Sequence, residues 1–294
     1  VAGAILISVT SKAVSEVYGP TPKGTTVTFP ASSIYAAVSA ATGTAPAGFQ
    51  LLKLPAANVG TVYLDNITPA NTTTVYGYNT GTQQLGQLRF VPAANYTGPV
   101  EIPYVALNAS NVPIASGVFS MGVLNSRKDF KDVTASTWCY KYVVELADAS
   151  VIDGYANGNF GPDNTITYGA ALKLIMKAAG YADQPPTVSG STFSGYLAKA
   201  QADGLVTRTN VNLSGPITRL QVAQLAAGAL KLDINNLSSV KPFTDTADVY
   251  VQALNAAGIV EGYFNNGTSA FRPSNTLTRG QVSAIVWRMQ NYRR

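Results

Sequence analysis

Two short motifs in the second half of the chain combine a helix start with a positive charge. Residues 218–221 read Thr-Arg-Leu-Gln and residues 278–281 read Thr-Arg-Gly-Gln. Threonine at the N-cap with glutamine three residues later is a capping box, which predicts that a helix begins at each motif. Arg219 and Arg279 then occupy the first helical position, beside backbone N–H groups that have no partner within the helix. A guanidinium beside such amides predicts an anion site that grips a carboxylate through two parallel hydrogen bonds.

Helix electrostatics alone disfavour a cation at a helix N-terminus, so both arginines need another reason to be there. Anion binding supplies one reason. The alternative is a solvated arginine that adds nothing to binding. The spacing leaves both interpretations open.

The two motifs belong to a pattern that the chain repeats. Residues 159–167 recur about a hundred residues later as residues 270–278, and a diverged copy at residues 204–221 keeps the Pro-x-Thr ending. Self-similarity on this scale indicates a repeated supersecondary unit. Apolar residues of helical period flank each loop, which predicts helix, glycine-containing loop and helix. The three expected units span about residues 128–182, 190–232 and 241–292.

Histidine is absent and Cys139 is the one cysteine. The chain therefore lacks the usual general base and the commonest metal ligand, and a catalytic thiolate lacks its usual partner. Cys139 lies in a helical apolar pattern, so we expect a buried structural thiol. We expect no enzyme, no metal site and no cofactor. A carboxylate-pair glycosidase is the main catalytic route left, but Asp132 and Asp245 recur by repeat symmetry rather than as a unique pair.

The chain has a net charge of +5 although only 12% of its residues are charged. Most of the excess positive charge lies in the repeat half, which fits either an acidic partner or plain solubility. Lysine and arginine do not cluster on one helix, so we expect no nucleic-acid partner. The longest apolar run, residues 1–9, is too short to span a bilayer and has no signal-peptide pattern. We expect no membrane span, and a chain that begins inside a longer protein.

Residues 16–125 predict a separate β module. Apolar residues alternate along short segments between turns of Gly, Pro, Asn and Ser, as in an antiparallel sandwich. Residues 36–41 could form a helix. Residues 1–9 resemble residues 115–123, so we expect residues 1–15 to be the last strand of a preceding module. The expected strands cover residues 27–29, 60–64, 87–91, 99–105 and 117–123.

The repeat half resembles the S-layer homology family over roughly residues 128–292. The resemblance rests on the Phe-x-Asp opening at residues 130–132, the Gly-Tyr…Pro-Asp loop at residues 154–163 and the Ile-Thr-Arg turn at residues 217–219. These motifs occur twice in full and once in part, which makes them more specific than any single match.

The fold class that this resemblance implies is multidomain, all-β followed by all-α. Residues 88–104 look like the immunoglobulin- or cadherin-like modules of bacterial surface proteins, so residues 16–125 are expected to form an immunoglobulin-like antiparallel β-sandwich. Residues 126–294 are expected to form a pseudo-threefold bundle of three helical hairpins.

The family implies an extracellular, cell-surface protein. Its members bind non-covalently a secondary cell-wall polysaccharide bearing pyruvate ketals, in grooves between neighbouring units. The arginine of the family's Thr-Arg-Ala-Glu signature meets the polymer's carboxylate, which implies this role for Arg219 and Arg279. The first unit reads Thr-Tyr-Gly-Ala at residues 167–170. Tyr168 could stack on a sugar but cannot neutralise a carboxylate, so we expect no more than two competent grooves.

The resemblance implies a ligand-binding role for five further residues, and each also has a purely structural interpretation. Asp132 and Asp245 hold a sugar hydroxyl or cap their helices. Trp138 lies near the groove or packs in the core. Gly204 and Gly258 offer backbone N–H groups to the ligand or only end their helices.

A structural role competes with anchoring. The β module, together with residues 1–9, could join subunits of a surface lattice or fibre by adding a strand to another copy. The two roles can coexist, because a lattice can also be anchored to a wall. Self-association therefore stays open beside polysaccharide binding.

Overall fold

The computed structural model describes residues 14–79, 81–126 and 128–292. The chain divides into two compact units, residues 1–127 and residues 128–294. The strand predicted at residues 1–9 lies outside the described residues.

The first unit is built from short strands, as the period-two pattern predicts. Two long strands form its centre, and they pair along nearly their whole length. One α-helix, α1 (Ala31–Thr42), and a short 3-10 helix (Leu85–Gln87) complete it. The strands are β1 (Val17–Tyr18), β2 (Thr21–Pro22), β3 (Val27–Thr28), β4 (Gly48–Leu51), β5 (Gly60–Tyr63), β6 (Val75–Gly77), β7 (Arg89–Pro92), β8 (Gly98–Leu107) and β9 (Pro113–Leu124).

These strands form two sheets over one core. The larger sheet has the order β1-β9-β8-β4-β6, with β2 also paired to β9, and the smaller has the order β3-β7-β5. Both sheets and α1 contribute buried side chains to a single cluster that includes Ile34, Phe49, Phe90 and Phe119. Burial alternates along β5 and β7, because successive side chains of a strand point to opposite faces.

The first unit departs from the predicted antiparallel pattern at one edge. β1 and β2 run parallel to β9, because the first described segment of the chain lies alongside the last strand in the same direction. Helix α1 is also longer than the predicted residues 36–41. It ends at Gly43, which adopts the left-handed backbone (φ 73°) that glycine tolerates best.

The second unit contains helices joined by loops, with one small hairpin. The helices form three successive pairs along the chain. Strands β10 (Tyr263–Asn265) and β11 (Thr268–Ala270) form the hairpin. The helices are α2 (Tyr140–Asp148), α3 (Tyr168–Ala178), α4 (Ser194–Ala202), α5 (Arg219–Leu230), α6 (Val249–Ala256) and α7 (Arg279–Tyr292).

The helix pairs are interlocked rather than self-contained. The first helix of each pair packs mainly against the second helix of the preceding pair: α4 against α3, α6 against α5, and α2 against α7. The second helices α3, α5 and α7 also pack against one another. Because α2 contacts α7, the first and last pairs close a circle, and each pair is completed by its neighbours.

The loops before α3, α5 and α7 meet in a closed ring of backbone hydrogen bonds. The Ile166 N–H donates to the Leu277 carbonyl (3.0 Å), Leu277 to Ile217 (3.3 Å) and Ile217 to Ile166 (3.3 Å). All three side chains are buried. Buried backbone groups need partners, and here each pair of helices supplies them to the next. The ring also defines which positions of the three pairs are equivalent.

Candidate functional site

The second helix of each pair begins at the motif from which the sequence predicts it. Thr218 Oγ1 accepts from the Gln221 N–H at 3.3 Å, and Gln221 Oε1 accepts from the Thr218 N–H at 2.9 Å. The same reciprocal pair joins Thr278 and Gln281. The predicted capping boxes are therefore confirmed, and Arg219 and Arg279 stand at the first helical position.

The backbone amides beside these arginines are not free, so the prediction of open amides is wrong. The Arg219 N–H donates to the Asn275 carbonyl at 2.8 Å, and the Leu220 N–H to Pro273 at 3.0 Å. The next repeat's loop thus satisfies amides that a helix leaves without a partner. The equivalent bonds of α7 join Arg279 to Asn164 and Gly280 to Pro162, each at 2.9 Å.

The Arg219 side chain is held by backbone carbonyls of the third helix pair. Its Nε donates to Phe271 at 2.7 Å and its Nη2 to Glu261 at 2.6 Å. The guanidinium carbon lies 4.5 Å from the Phe271 ring centre and 5.1 Å from that of Tyr263. The Arg272 guanidinium lies 4.1 Å from the same Tyr263 ring. Two cations therefore share one aromatic ring at this junction of the second and third helix pairs, which we call the Arg219 cleft.

The Arg279 side chain repeats this geometry against the first helix pair. Its Nε donates to the Phe160 carbonyl at 2.8 Å and its Nη2 to Asp153 at 2.9 Å. The guanidinium carbon lies 4.5 Å from the Phe160 ring centre and 4.8 Å from that of Tyr155. Two clefts of the same design thus form where one pair's second helix meets the next pair's loop.

The two guanidinium groups are half-buried cations without an acidic partner. No carboxylate of the described residues forms an ion pair with either. Burial lowers the pKa of both Arg219 and Arg279, while the more distant Asp245 and Asp132 act in the opposite direction. Two of the five N–H groups of each arginine are engaged, so the edge formed by Nη1 and Nη2 keeps donors for a ligand. Such an edge matches a carboxylate.

Asp132 and Asp245 hold the loops of the clefts. Asp132 accepts from the Phe160 N–H with one oxygen and from Gly161 with the other, both at 2.7 Å. Asp245 accepts from residues 271–272 in the same way, also at 2.7 Å. Burial acts to raise the pKa of each carboxyl, but these bonds outweigh it and the pKa lies below its usual range.

The expectation that the two aspartates cap their helices is wrong. The N-cap of α6 is Asp248, which accepts from the Tyr250 and Val251 N–H groups at 3.0 and 3.2 Å. Helix α2 begins after Cys139 without a side-chain cap. Asp132 and Asp245 instead bind loops 28 and 26 residues further along the chain, which local spacing does not reveal.

Trp138 lies outside the core, so the core alternative is wrong for this residue. It precedes α2 and is 56% exposed. A side chain added at Gly280 would meet the Trp138 ring at 3.1 Å, which places the indole against the first turn of α7. Tyr155, whose ring lies beside Arg279, is also exposed.

The sequence prediction missed these aromatic rings as site residues. Tyr155 and Tyr263 belong to the Gly-Tyr pairs, and Phe160 and Phe271 precede the loop prolines. Their recurrence was a signal, because aromatic faces next to an arginine at two equivalent places suit cation–π contacts. Their distance in the chain from the arginine motifs concealed the contact.

Gly204 and Gly258 end α4 and α6 in the left-handed conformation, with φ of 73° and 69°. Their N–H groups donate to Gln201 and Asn255, at 3.1 and 2.9 Å. The prediction that they are helix stops is confirmed. Their N–H groups are engaged within the last helical turn, so the alternative of free donors for a ligand is wrong.

Tyr168 stands where the other two helices carry arginine. Its N–H donates to Gly215 at 2.8 Å, and the Gly169 N–H donates to Leu213 at 2.9 Å. The loop of the second helix pair therefore meets α3 as the other loops meet α5 and α7. Tyr168 lines a cavity of about 380 Å³ at this junction.

Cys139 is fully buried, as predicted. Burial raises the pKa of its thiol to about 11, which keeps it protonated at neutral pH. Among the described residues, no group of three or more Asp, Glu or Cys side chains is placed to hold a metal ion. The helices in the described part of the chain are also too short or too polar to cross a membrane.

Two segments of the chain match the family model of the S-layer homology domain, residues 129–172 and 242–283. They contain the Phe-x-Asp openings, all of α2 and α6, and the first five residues of α3 and of α7, including Arg279. The segments include the residues that surround Arg279 and the loop that holds Arg219, whereas Arg219 itself and α5 lie outside them.

Three relatives are similar to parts of this chain. The Surface-layer 125 kDa protein of Lysinibacillus sphaericus is 24% identical over 200 residues, which are 63% of this chain and 17% of that protein. The Cell surface protein of Thermoanaerobacter kivui is 31% identical over 108 residues, 37% of this chain and 13% of that protein. An Endoglucanase of Bacillus sp. (strain KSM-635) is 25% identical over 198 residues, which are 62% of this chain and 21% of that protein.

The matched region thus spans about a fifth or less of each of these relatives. Together with the domain matches, the relatives assign the chain to the extracellular cell surface. They also support anchoring at that surface.

Proposed function

Because residues 129–172 and 242–283 are S-layer homology domains, we propose that the second unit anchors the protein non-covalently to a secondary cell-wall polysaccharide. The polymer is anionic and bears pyruvate ketals. Its carboxylates bind in the two clefts between helix pairs, one at Arg219 and one at Arg279.

One observation carries this proposal: both arginines are half-buried cations that lack an acidic partner among the described residues. Desolvating a charge costs free energy unless an opposite charge compensates it. Backbone carbonyls hold one edge of each guanidinium in place. The opposite edge is therefore oriented in advance, so a carboxylate binds without the entropy cost of ordering a long side chain.

The aromatic rings supply the second part of the recognition. Tyr155 lies beside Arg279 and Tyr263 beside Arg219, and Trp138 lies against Gly280, the residue after Arg279. An aromatic face covers the apolar side of a sugar ring, while the guanidinium takes the ketal's carboxylate. The site thus requires a sugar residue that carries both an apolar ring face and a carboxylate.

Binding to purified wall polymer tests this proposal. We expect the Arg219→Ala, Arg279→Ala double variant to bind at least tenfold more weakly, since each lost charge-assisted pair is worth about 1.5–3 kcal/mol. The control is Arg89→Ala, which removes an exposed arginine of the first unit and should bind like the parent. Equal binding by the double variant and the parent contradicts the assignment of the site.

The chemistry of the ligand is tested separately. Polymer from which mild acid has removed the pyruvate ketals should bind weakly to the parent. The double variant should bind this ketal-free polymer only slightly more weakly than the parent does. Undiminished binding to this polymer would argue against a carboxylate ligand.

Self-association is a second role, which β6 favours. This strand is at the end of the larger sheet, and its Val75 is exposed. The Gly77 N–H of β6 donates to Gln83, and edge strands with unpaired backbone groups are templates for strand addition. Light scattering without polymer tests it: assemblies that Val75→Lys disperses support this role, and a monomer at all concentrations contradicts it.

A further inference from the structure

The junction of the first and second helix pairs differs from the other two in what fills it. By the ring of backbone bonds, Val211 is equivalent to Phe160 and Phe271, six residues before Ile217. The loop here therefore lacks the phenylalanine, and α3 lacks the arginine. A cavity of about 380 Å³ lies at this junction, and Val211 and Tyr168 both line it.

The walls of this cavity contain one cation and no acid. Arg208, on the loop of the second pair, and Tyr168, at the start of α3, both line it. The Arg208 guanidinium and the Tyr168 hydroxyl form no hydrogen bond with any described residue. Burial raises the pKa of the Tyr168 hydroxyl, and the Arg208 charge opposes part of this rise, in keeping with the proximity of the two side chains.

Amide side chains supply most of the remaining polar groups. Gln221 and Asn212 use their carbonyl oxygens within the protein and keep their NH₂ groups. Gln224 donates to Asp248 and keeps its carbonyl oxygen. The set offers donors and acceptors suited to hydroxyl and acetamido groups. The lining amides are Asn210, Asn212, Gln221 and Gln224.

We infer that this cavity is a third binding site for a carboxylate-bearing sugar, with Arg208 as its cation and Tyr168 as its aromatic face. The inference takes its ligand class from the proposed function but requires neither Arg219 nor Arg279. The cavity's size lies within the roughly 300–1,000 Å³ typical of small-ligand sites. The positive charge comes from the loop rather than the helix, so replacing arginine by tyrosine in the first motif moves the cation instead of removing it.

Amide NMR of the whole chain, titrated with a pyruvylated monosaccharide, tests the inference cleft by cleft. In the parent, signals of residues 205–216 should shift and saturate along with those around Arg219 and Arg279. Arg208→Ala should weaken the response of residues 205–216 by about tenfold or more and leave the other two clefts unchanged. Unshifted signals at residues 205–216 in the parent, or an unaltered titration in Arg208→Ala, would overturn it.

Two further arms separate this site from the proposed function. The Arg219→Ala, Arg279→Ala double variant should keep the response at residues 205–216, which would support the third site even if the other clefts turned out not to bind. Loss of that response would overturn it. The same monosaccharide with its pyruvate carboxylate methylated should bind this cavity weakly. If it binds as tightly as the free acid, Arg208 has no carboxylate partner. Arg208 is exposed, so its variant is expected to melt at the parent's temperature.

Discussion

Arg272 shows how a single residue distinguishes the two arginine clefts. It adopts a left-handed backbone, φ 60°, where the equivalent residue of the first repeat is Gly161, φ 71°. A non-glycine residue pays about 1–2 kcal/mol for this conformation. The Arg272 side chain stacks on Tyr263, next to Arg219. The second cation makes the Arg219 cleft the more positive of the two.

The substitution Arg272→Gly separates strain from charge. Stability should stay at or above that of the parent, because relief of the left-handed backbone offsets the roughly 0.5–1 kcal/mol that glycine loses in chain entropy. Affinity at the Arg219 cleft should fall severalfold, while the Arg279 cleft keeps its affinity. Denaturant unfolding and NMR titration measure the two effects. A stability loss with unchanged affinity would falsify a ligand role for Arg272.

Asp132 links one loop to the fold through two charge-assisted bonds. Asp132→Ala should lower the free energy of unfolding at pH 7 by about 2 kcal/mol, a figure reduced from two full bonds because the carboxyl is partly exposed. The control Asp163→Ala removes an exposed acid from the same loop and should change stability little.

The pH dependence of this effect has a definite sign. The folded-state pKa of Asp132 is lowered, so its contribution is complete above the ordinary value of about 3.9 and is lost as pH falls below that value. The difference between parent and Asp132→Ala should therefore shrink in acid. A difference that stays constant from pH 7 to pH 3 contradicts the proposed bonds.

At the scale of elements, the second helix of each pair begins against the loop of the next repeat. Its first amides donate to the next repeat's loop, and its N-cap threonine satisfies the third amide. The helix ends are thus closed by tertiary contacts, which also orient the arginines. This explains why a capping box and a cation coexist at a position where the helix dipole disfavours positive charge.

Thr218→Ala tests the contribution of a cap. It removes the acceptor of the Gln221 N–H, and the expected cost is about 1 kcal/mol. Thr209→Ala, in an exposed loop position of the same repeat, is the matched control. Chemical denaturation should separate the two variants, and equal stabilities would show that the carbonyls of the neighbouring loop suffice.

At the scale of the whole molecule, the chain contains two units with separate cores. Because each core is built within its own unit, we expect two calorimetric transitions. Phe119→Ala should lower only the transition temperature of the first unit, and Val286→Ala only that of the second. Each variant should lose several kcal/mol of unfolding free energy in its own unit. If either variant shifted both transitions equally, the units would be unfolding as one.

Periodicity and motif spacing were sufficient for much of this architecture. The alternation of short segments predicted β3, β5, β7, β8 and β9, and the Thr-x-x-Gln spacing predicted where α5 and α7 begin. These are local properties: a strand's period and a helix cap depend on neighbouring residues. The buried state of Cys139 followed in the same way from its apolar pattern.

Contacts between distant segments were decided by the tertiary structure alone. The closed ring of loops consumes the amides that the sequence left free, the aspartates bind loops instead of helix ends, and Trp138 lies on the surface. The cavity beside Tyr168 lies where the second repeat has Val211 at the position of Phe160 and Phe271. The amino-acid sequence by itself determined the repeats, the helix starts and the charges. Which groups stay free to bind was decided by the packing of one repeat on the next, because residues 42 to 126 positions apart in the chain supply each other's hydrogen-bond donors and acceptors.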